Sequence, residues 1–180
     1  ATRHCALNPK SDLTLLYSLS RLMIQLGAVN QSFIREHTNG FEEFAAFVDI
    51  YTPEYASLIT GLEVEEIVSL AKAIANGKRV SFWWTMGVNQ SHEGTRTAQA
   101  IINLALMTGN IGRRGTGANS ITGQCNAMGS RVFSNTTNLL GAHDFMNSVH
   151  RDKIAHILHI PSDCIPAENS WAYDQIIEGI

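Results

Sequence analysis

Two stretches of this 180-residue chain carry side chains whose types and spacing suit ligand chemistry. The first spans residues 79–131, where an apolar, aromatic run stops at Met86-Gly87 and Asn89 and Gln90 follow. Further on comes a loop holding six of the chain's 14 glycines, Gly109, Gly112, Gly115, Gly117, Gly123 and Gly129, mixed with Asn119, Ser120, Thr122, Gln124 and Asn126. Backbone without side chains lets a ligand come close, and amides and hydroxyls both donate and accept hydrogen bonds. A long loop that lacks proline and keeps apolar residues reads as ordered and ligand-facing. The second stretch is Lys10-Ser11-Asp12 at the start of a helix, where free N–H groups point outward and can hold a ligand. Plain capping by the Ser11 hydroxyl, with Asp12 in the positive first turn, is the simpler reading of those residues alone.

Other chemistries find less support. No Gly-Lys-Ser/Thr ending makes a phosphate loop, and no GxGxxG lies between a strand and a helix. His156 and His159 are spaced to share a helix face, but no carboxylate or thiol joins them at a metal-site spacing, which favours a packing or surface role. The remaining histidines are scattered, with no nucleophile–histidine–acid arrangement. Cys5, Cys125 and Cys164 are far apart and odd in number, and read as reduced thiols in a reducing compartment.

The elements that must position these residues follow from periodicity. Leu15, Leu19, Leu22 and Leu26 mark a helix stopped by Gly27. Shorter helices are expected over residues 30–36, along Phe41, Phe44, Ala45 and Val48, from Thr52-Pro53 to Gly61, and along Ile67, Leu70, Ala71 and Ile74 to Gly77. Residues 79–85 break this pattern with Val80, Phe82, Trp83 and Trp84, a run predicting a strand buried on both faces with its tryptophans in the core. A turn over residues 86–90 and a helix over 93–107 come next. Residues 110–129 show no helical or strand period, and 150–158 form a helix ahead of Pro161. One strand between helices implies an α/β unit with a parallel sheet, the strand's partners lying mostly elsewhere. Ligands in such sheets sit beyond the carboxyl ends of the strands, which points to Met86, Gly87, Asn89 and Gln90.

Composition sets outer bounds. Charged residues make up 16% and the formal charge is −3, giving no reason to expect a nucleic-acid or membrane-surface partner. Such sparse charge fits a piece covered by other parts of a larger protein. No apolar run is long enough for a membrane span, and no secretory signal appears. The chain begins at Ala1 and stops at Ile180 inside a helical pattern that opens at Ser170, so residues 1–180 are expected to be a single fragment of one α/β domain, truncated at both ends.

Several segments then resemble the dimethyl sulfoxide reductase family of molybdopterin oxidoreductases. They are Trp84-Thr85-Met86-Gly87-Val88-Asn89-Gln90 with Gly94-Thr95, Leu106-Met107-Thr108-Gly109-Asn110-Ile111-Gly112, and Thr122-Gly123-Gln124-Cys125-Asn126-Ala127-Met128-Gly129, in family order, preceded by Asn8-Pro9-Lys10-Ser11-Asp12-Leu13. Formate dehydrogenases of the family carry arginine before the Gly-Gln of the loop. Thr122 stands there, as in nitrate reductases, and the Gln124-to-Arg131 spacing resembles the cytoplasmic assimilatory group. Val132 departs from that group, which has an acidic residue at this position.

The resemblance implies a helix-rich fragment of a Rossmann-like parallel-sheet domain. It also implies a bis(molybdopterin guanine dinucleotide) cofactor whose molybdenum cycles between Mo(VI) and Mo(IV) as nitrate becomes nitrite. A [4Fe-4S] cluster in the parent's N-terminal part would feed the electrons. By family position Lys10, Ser11 and Asp12 would contact a guanine nucleotide end, Met86 and Gln90 the cofactor, and Gln124 the pterin near the metal. Arg131, always cationic, would orient a planar oxyanion. No residue here matches a metal ligand. Implied partners are the parent's remaining domains, an electron-donor protein or reductase subunit and a small oxyanion substrate, in a cytoplasmic setting. The fragment alone is expected to be inactive. Alternatives are a formate dehydrogenase or other oxyanion reductase of the family, and, in another class, a non-catalytic nucleotide-binding or assembly module.

Overall fold

The leucine stripe of the first helix, α1 (Asp12–Gln25), buries Leu15, Leu19 and Leu22 together with Met23. In the computed structural model, which describes residues 2–132, 140–171 and 173–179, α1 is the hub of the first of two compact units, residues 1–122 and 123–180. The short helices α2 (Gln31–His37), α3 (Phe41–Val48), α4 (Pro53–Thr60) and α5 (Val64–Ala75) follow it. Thr52 caps α4 as expected, its Oγ1 accepting from the Tyr55 N–H at 3.1 Å ahead of Pro53. A reciprocal pair between Glu63 and Glu66 caps α5. Helix α1 packs against α3, α4, α5 and α7 (Gly94–Met107). Ile34, Ala56, Leu62, Ile67, Ala71, Leu104 and Met107 complete this core around its leucines.

The sheet is small. Strand β1 (Ser81–Trp84) runs parallel to β2 (Gly117–Ser120), with Ser81 opposite Gly117 and Trp84 opposite Ser120, and α7 lies on the connection between them. This is the expected α/β class with a parallel sheet. Two expectations are corrected. Residues 110–129 are not wholly irregular, because β2 lies within them and the helix α8 (Ala127–Val132) begins there, each too short to show a period. Strand β1 is not buried on both faces: Phe82 packs against the core while Trp83, on the alternate face, is 64% exposed. A strand covered by helices on one side only alternates in burial, whatever the hydrophobicity of its outer residues. The strand's start is tied down by buried Asn110, whose Oδ1 accepts from the Val80 N–H at 3.0 Å.

The second unit contains α8, single helical turns at Leu140–Ala142 and Ser162–Cys164, α9 (Ser148–Leu158) and α10 (Tyr173–Glu178). Its core is Ile154, Ala155 and Ile165, with Leu140 and Phe145 against them. His156 lies in the last turn of α9 and His159 caps it in a left-handed conformation. Among the described residues no group of three or more His, Cys, Asp or Glu side chains could hold a metal ion, and no helix is long and apolar enough to cross a membrane.

Candidate cofactor-binding cleft

Lys10 and Asp12 meet Met86, Gly87, Gln90, Ser91 and His92 around an open cleft of about 470 Å3 in the first unit. The chain arrives at Lys10 through a turn anchored from beneath. Asn8 donates its N–H to the Thr60 carbonyl at 2.8 Å and its amide to the Ile59 carbonyl at 3.1 Å, stitching the turn to the end of α4. Gly61 makes room for this, because a Cβ there would lie 3.0 to 3.2 Å from the Asn8 side chain, and its φ of +74° disfavours any larger residue. Lys10 itself holds φ +67°, a left-handed conformation that non-glycine residues adopt at a cost.

Ser11 behaves differently from the capping expectation. It is the N-cap residue of α1, yet its side chain caps no N–H and donates instead to the Asn8 carbonyl at 2.6 Å. Its φ of −105° and ψ of 1° lie outside the extended region in which a cap hydroxyl turns toward the helix N–H groups. At 2% exposure the hydroxyl is absorbed in holding the turn, and Ser11 does not line the cleft. Asp12 is the first residue of α1 and is exposed beside the helix's free N–H groups.

The opposite wall grows from the carboxyl end of β1. Thr85 continues the extended backbone, and one turn of helix, α6 (Met86–Asn89), closes with the Gln90 N–H on the Met86 carbonyl at 2.9 Å. Of the four residues that the carboxyl-end rule points to, Met86, Gly87 and Gln90 line this cleft. Asn89 does not line the cleft: the Trp84 indole N–H donates to its Oδ1 at 2.9 Å, and its Nδ2 donates to the Ser120 Oγ at 3.0 Å. Ser91 and His92 line the cleft without having been singled out from the sequence; their place directly after Gln90 was the available signal. Among the described residues, two titrating groups have a shifted pKa, and both lie outside it. Burial, then Tyr51, raises Tyr17, and the Glu54 N–H and Thr52 hydroxyl hold the Glu54 carboxyl low.

Gln124 and Arg131 belong to the second unit. Gln124 is exposed in the loop ahead of α8. Asn126 follows with φ +51°, and its carbonyl accepts from the Ser130 N–H at 2.9 Å. Arg131 falls within α8, and its side chain lies outside the described residues.

Comparison with known proteins places this chain in a family. A family model for molybdopterin oxidoreductases matches residues 1–167. The chain belongs to that family. It is 38% identical over 175 residues to a nitrate reductase from Synechocystis, covering 95% of this chain and 24% of that protein. An assimilatory nitrate reductase from Haloferax mediterranei is 35% identical over 94% of this chain and 23% of its own length. Formate dehydrogenase H of Escherichia coli is 29% identical over 98% of this chain. The chain thus spans about a quarter of the length of these relatives. Among solved structures, acetylene hydratase from Pelobacter acetylenicus shares the fold of 61% of this chain, with a TM-score of 0.58 at 21% identity, over 15% of its own length.

The family implies a molybdenum–pterin cofactor, and the cleft offers a size and a donor set to compare with such a group. About 470 Å3 lies within the range of small-ligand sites. An ammonium suits phosphate oxygens, a carboxylate accepts from paired N–H groups such as a pterin edge presents, and an amide with a hydroxyl can donate or accept. The residues present fit the group.

Proposed function

We propose that this chain supplies one wall of the guanine nucleotide site of a bis(molybdopterin guanine dinucleotide) enzyme, and that the parent protein reduces nitrate to nitrite. The observation that carries the proposal is the convergence of Lys10 and Asp12 from the start of α1 with Met86 and Gln90 from the carboxyl end of β1 on one cleft. Lys10 would neutralise phosphate charge, Asp12 would accept from the base, and Gln90 and Met86 would fix the plane of the bound group. Ser11 would act from behind, keeping the Asn8-to-Lys10 turn in place. Gln124 would lie beside the pterin and Arg131 would draw in and orient a planar anion.

Bound in the parent, the cofactor supplies two-electron oxygen-atom transfer at molybdenum, with a [4Fe-4S] cluster as the electron route. Thr122, where an arginine would suit formate, supports nitrate, as do the nitrate reductases among the relatives. The formate reading has its own support in an F420-dependent formate dehydrogenase subunit alpha from Methanocaldococcus jannaschii, 38% identical over 122 residues.

Assays of the full-length parent with nitrate plus a reduced dye, and with formate plus an oxidised one, separate the readings. Nitrate reduction without formate oxidation is expected. The reverse result would move the assignment to formate. A parent free of molybdenum and pterin when produced in a cofactor-competent host would leave only a binding or assembly module.

A further inference from the structure

We propose that Asn89 is the positioning residue of this cleft, locking the Met86-to-Gln90 turn onto the carboxyl ends of both strands so that Met86 and Gln90 face Lys10 and Asp12. This rests on the reading of the cleft as a cofactor wall. Helix α6 is a single turn of four residues, too short to be stable through its own hydrogen bonds. Something outside it must hold it. An indole N–H can only donate, so the 2.9 Å contact with Trp84 requires Oδ1 of Asn89 and fixes which way the amide faces. Its Nδ2 then points both to the Ser120 Oγ at 3.0 Å and to the Met86 Sδ at 3.9 Å. One side chain thus joins β1, β2 and α6.

The main chain adds a second clamp nearby, since the Ile121 N–H donates to the Trp84 carbonyl at 2.8 Å and continues the sheet past Ser120. The amide is chemically specific for this task. A carboxylate at position 89 would still accept from Trp84, and the Ser120 hydroxyl could rotate to donate to it. It would offer nothing to the Met86 sulfur and would add a negative charge beside a group that binds phosphates. An aliphatic residue would lose all three contacts.

Three variants of the full-length parent test this: Asn89→Ala, Asn89→Asp and Ser120→Ala, with the double Asn89→Ala/Ser120→Ala. Two readouts are taken, hydrogen exchange by peptide and the molybdenum and pterin retained after purification. In Asn89→Ala the amides of Val88, Asn89's replacement and Gln90 should exchange on the order of tenfold faster, the equivalent of one net hydrogen bond, while those of α1 stay unchanged. Cofactor retention should fall by a similar factor. Asn89→Asp should restore most of the exchange protection and only part of the retention. Ser120→Ala should weaken retention alone but add nothing to Asn89→Ala, because the partner is already gone. Unchanged exchange in the turn overturns the positioning role whether or not cofactor is present. Faster exchange with full retention overturns its link to the cofactor. A wild-type parent that carries no molybdenum and pterin defeats the cleft reading instead, and the exchange measurement then still decides whether Asn89 holds the turn.

Discussion

Lys10 bears two loads, a charge facing the cleft and a backbone φ of +67°. The left-handed conformation costs a non-glycine residue about 1 kcal/mol, which glycine does not pay. Lys10→Gly should therefore raise the unfolding free energy by up to about 1 kcal/mol while loosening the cofactor, and Lys10→Ala should loosen it without any gain in stability. Calorimetry and pterin content of both variants check this; equal stability of the two would show that the turn carries no strain. At this scale much of the cleft was legible. Lys10, Asp12, Met86 and Gln90 stand out through a helix start, a strand end and family motifs, and the fold brings them together. The direction of the Ser11 hydroxyl was not legible, because a serine ahead of a helix can bond forward to an N–H or back to a carbonyl, and sequence pattern is the same for both. Asn89 poses the same problem in stronger form, since only the position of Ser120 and Trp84 in space shows that its amide turns to the strand ends.

Helix α7 and the α6 turn meet through a missing side chain. A Cβ on Gly94 would lie 2.6 Å from the Val88 carbonyl oxygen and 3.1 Å from that of Asn89, both rigid backbone atoms. Replacing glycine by alanine in a helix ordinarily stabilises by up to about 1 kcal/mol. Overpacking against backbone costs about 1–3 kcal/mol and works in the opposite direction. The second effect should win, so Gly94→Ala is expected to be destabilising and to displace the turn that carries Met86 and Gln90. Denaturant unfolding with a parallel measurement of bound pterin gives the sign, and a stabilised variant would mean that the two elements do not press together. Elements of this length were read well from sequence where a stripe repeats over several turns, as in α1, α5 and α7. Strand β2 and α6 have four residues each, fewer than either period needs to declare itself. Trp83 misled for a related reason: a continuous apolar run reports hydrophobicity, while the cover on each face of a strand is set by elements that the run does not encode.

The two units differ in what holds them, and that difference predicts how each opens. The first draws its core from α1, α2, α4, α5 and α7, with Met23, Ile67 and Leu104 at 0% exposure. Among its described residues the second rests on Ile154, Ala155 and Ile165, with Leu140 and Phe145 against them, and α9 adds polar contacts. Asn147 caps it, the Arg151 guanidinium donates to the Phe145 carbonyl at 2.7 Å, and the Asp144 N–H donates to His150 Nδ1 at 3.0 Å. Such hydrogen bonds contribute about 0.5–1.5 kcal/mol net each, whereas each fully buried aliphatic side chain contributes about 1.5–3 kcal/mol. A deficit of even one such side chain corresponds to roughly 10- to 150-fold in an opening equilibrium. Native-state hydrogen exchange on the 180-residue chain should accordingly show amides of α1 and α7 around Leu19, Met23 and Leu104 exchanging at least about 10-fold more slowly than those of α9 around Ile154. Equal protection in α1 and α9 would mean that the small core is reinforced by something other than the contacts that Ile154, Ala155 and Ile165 make.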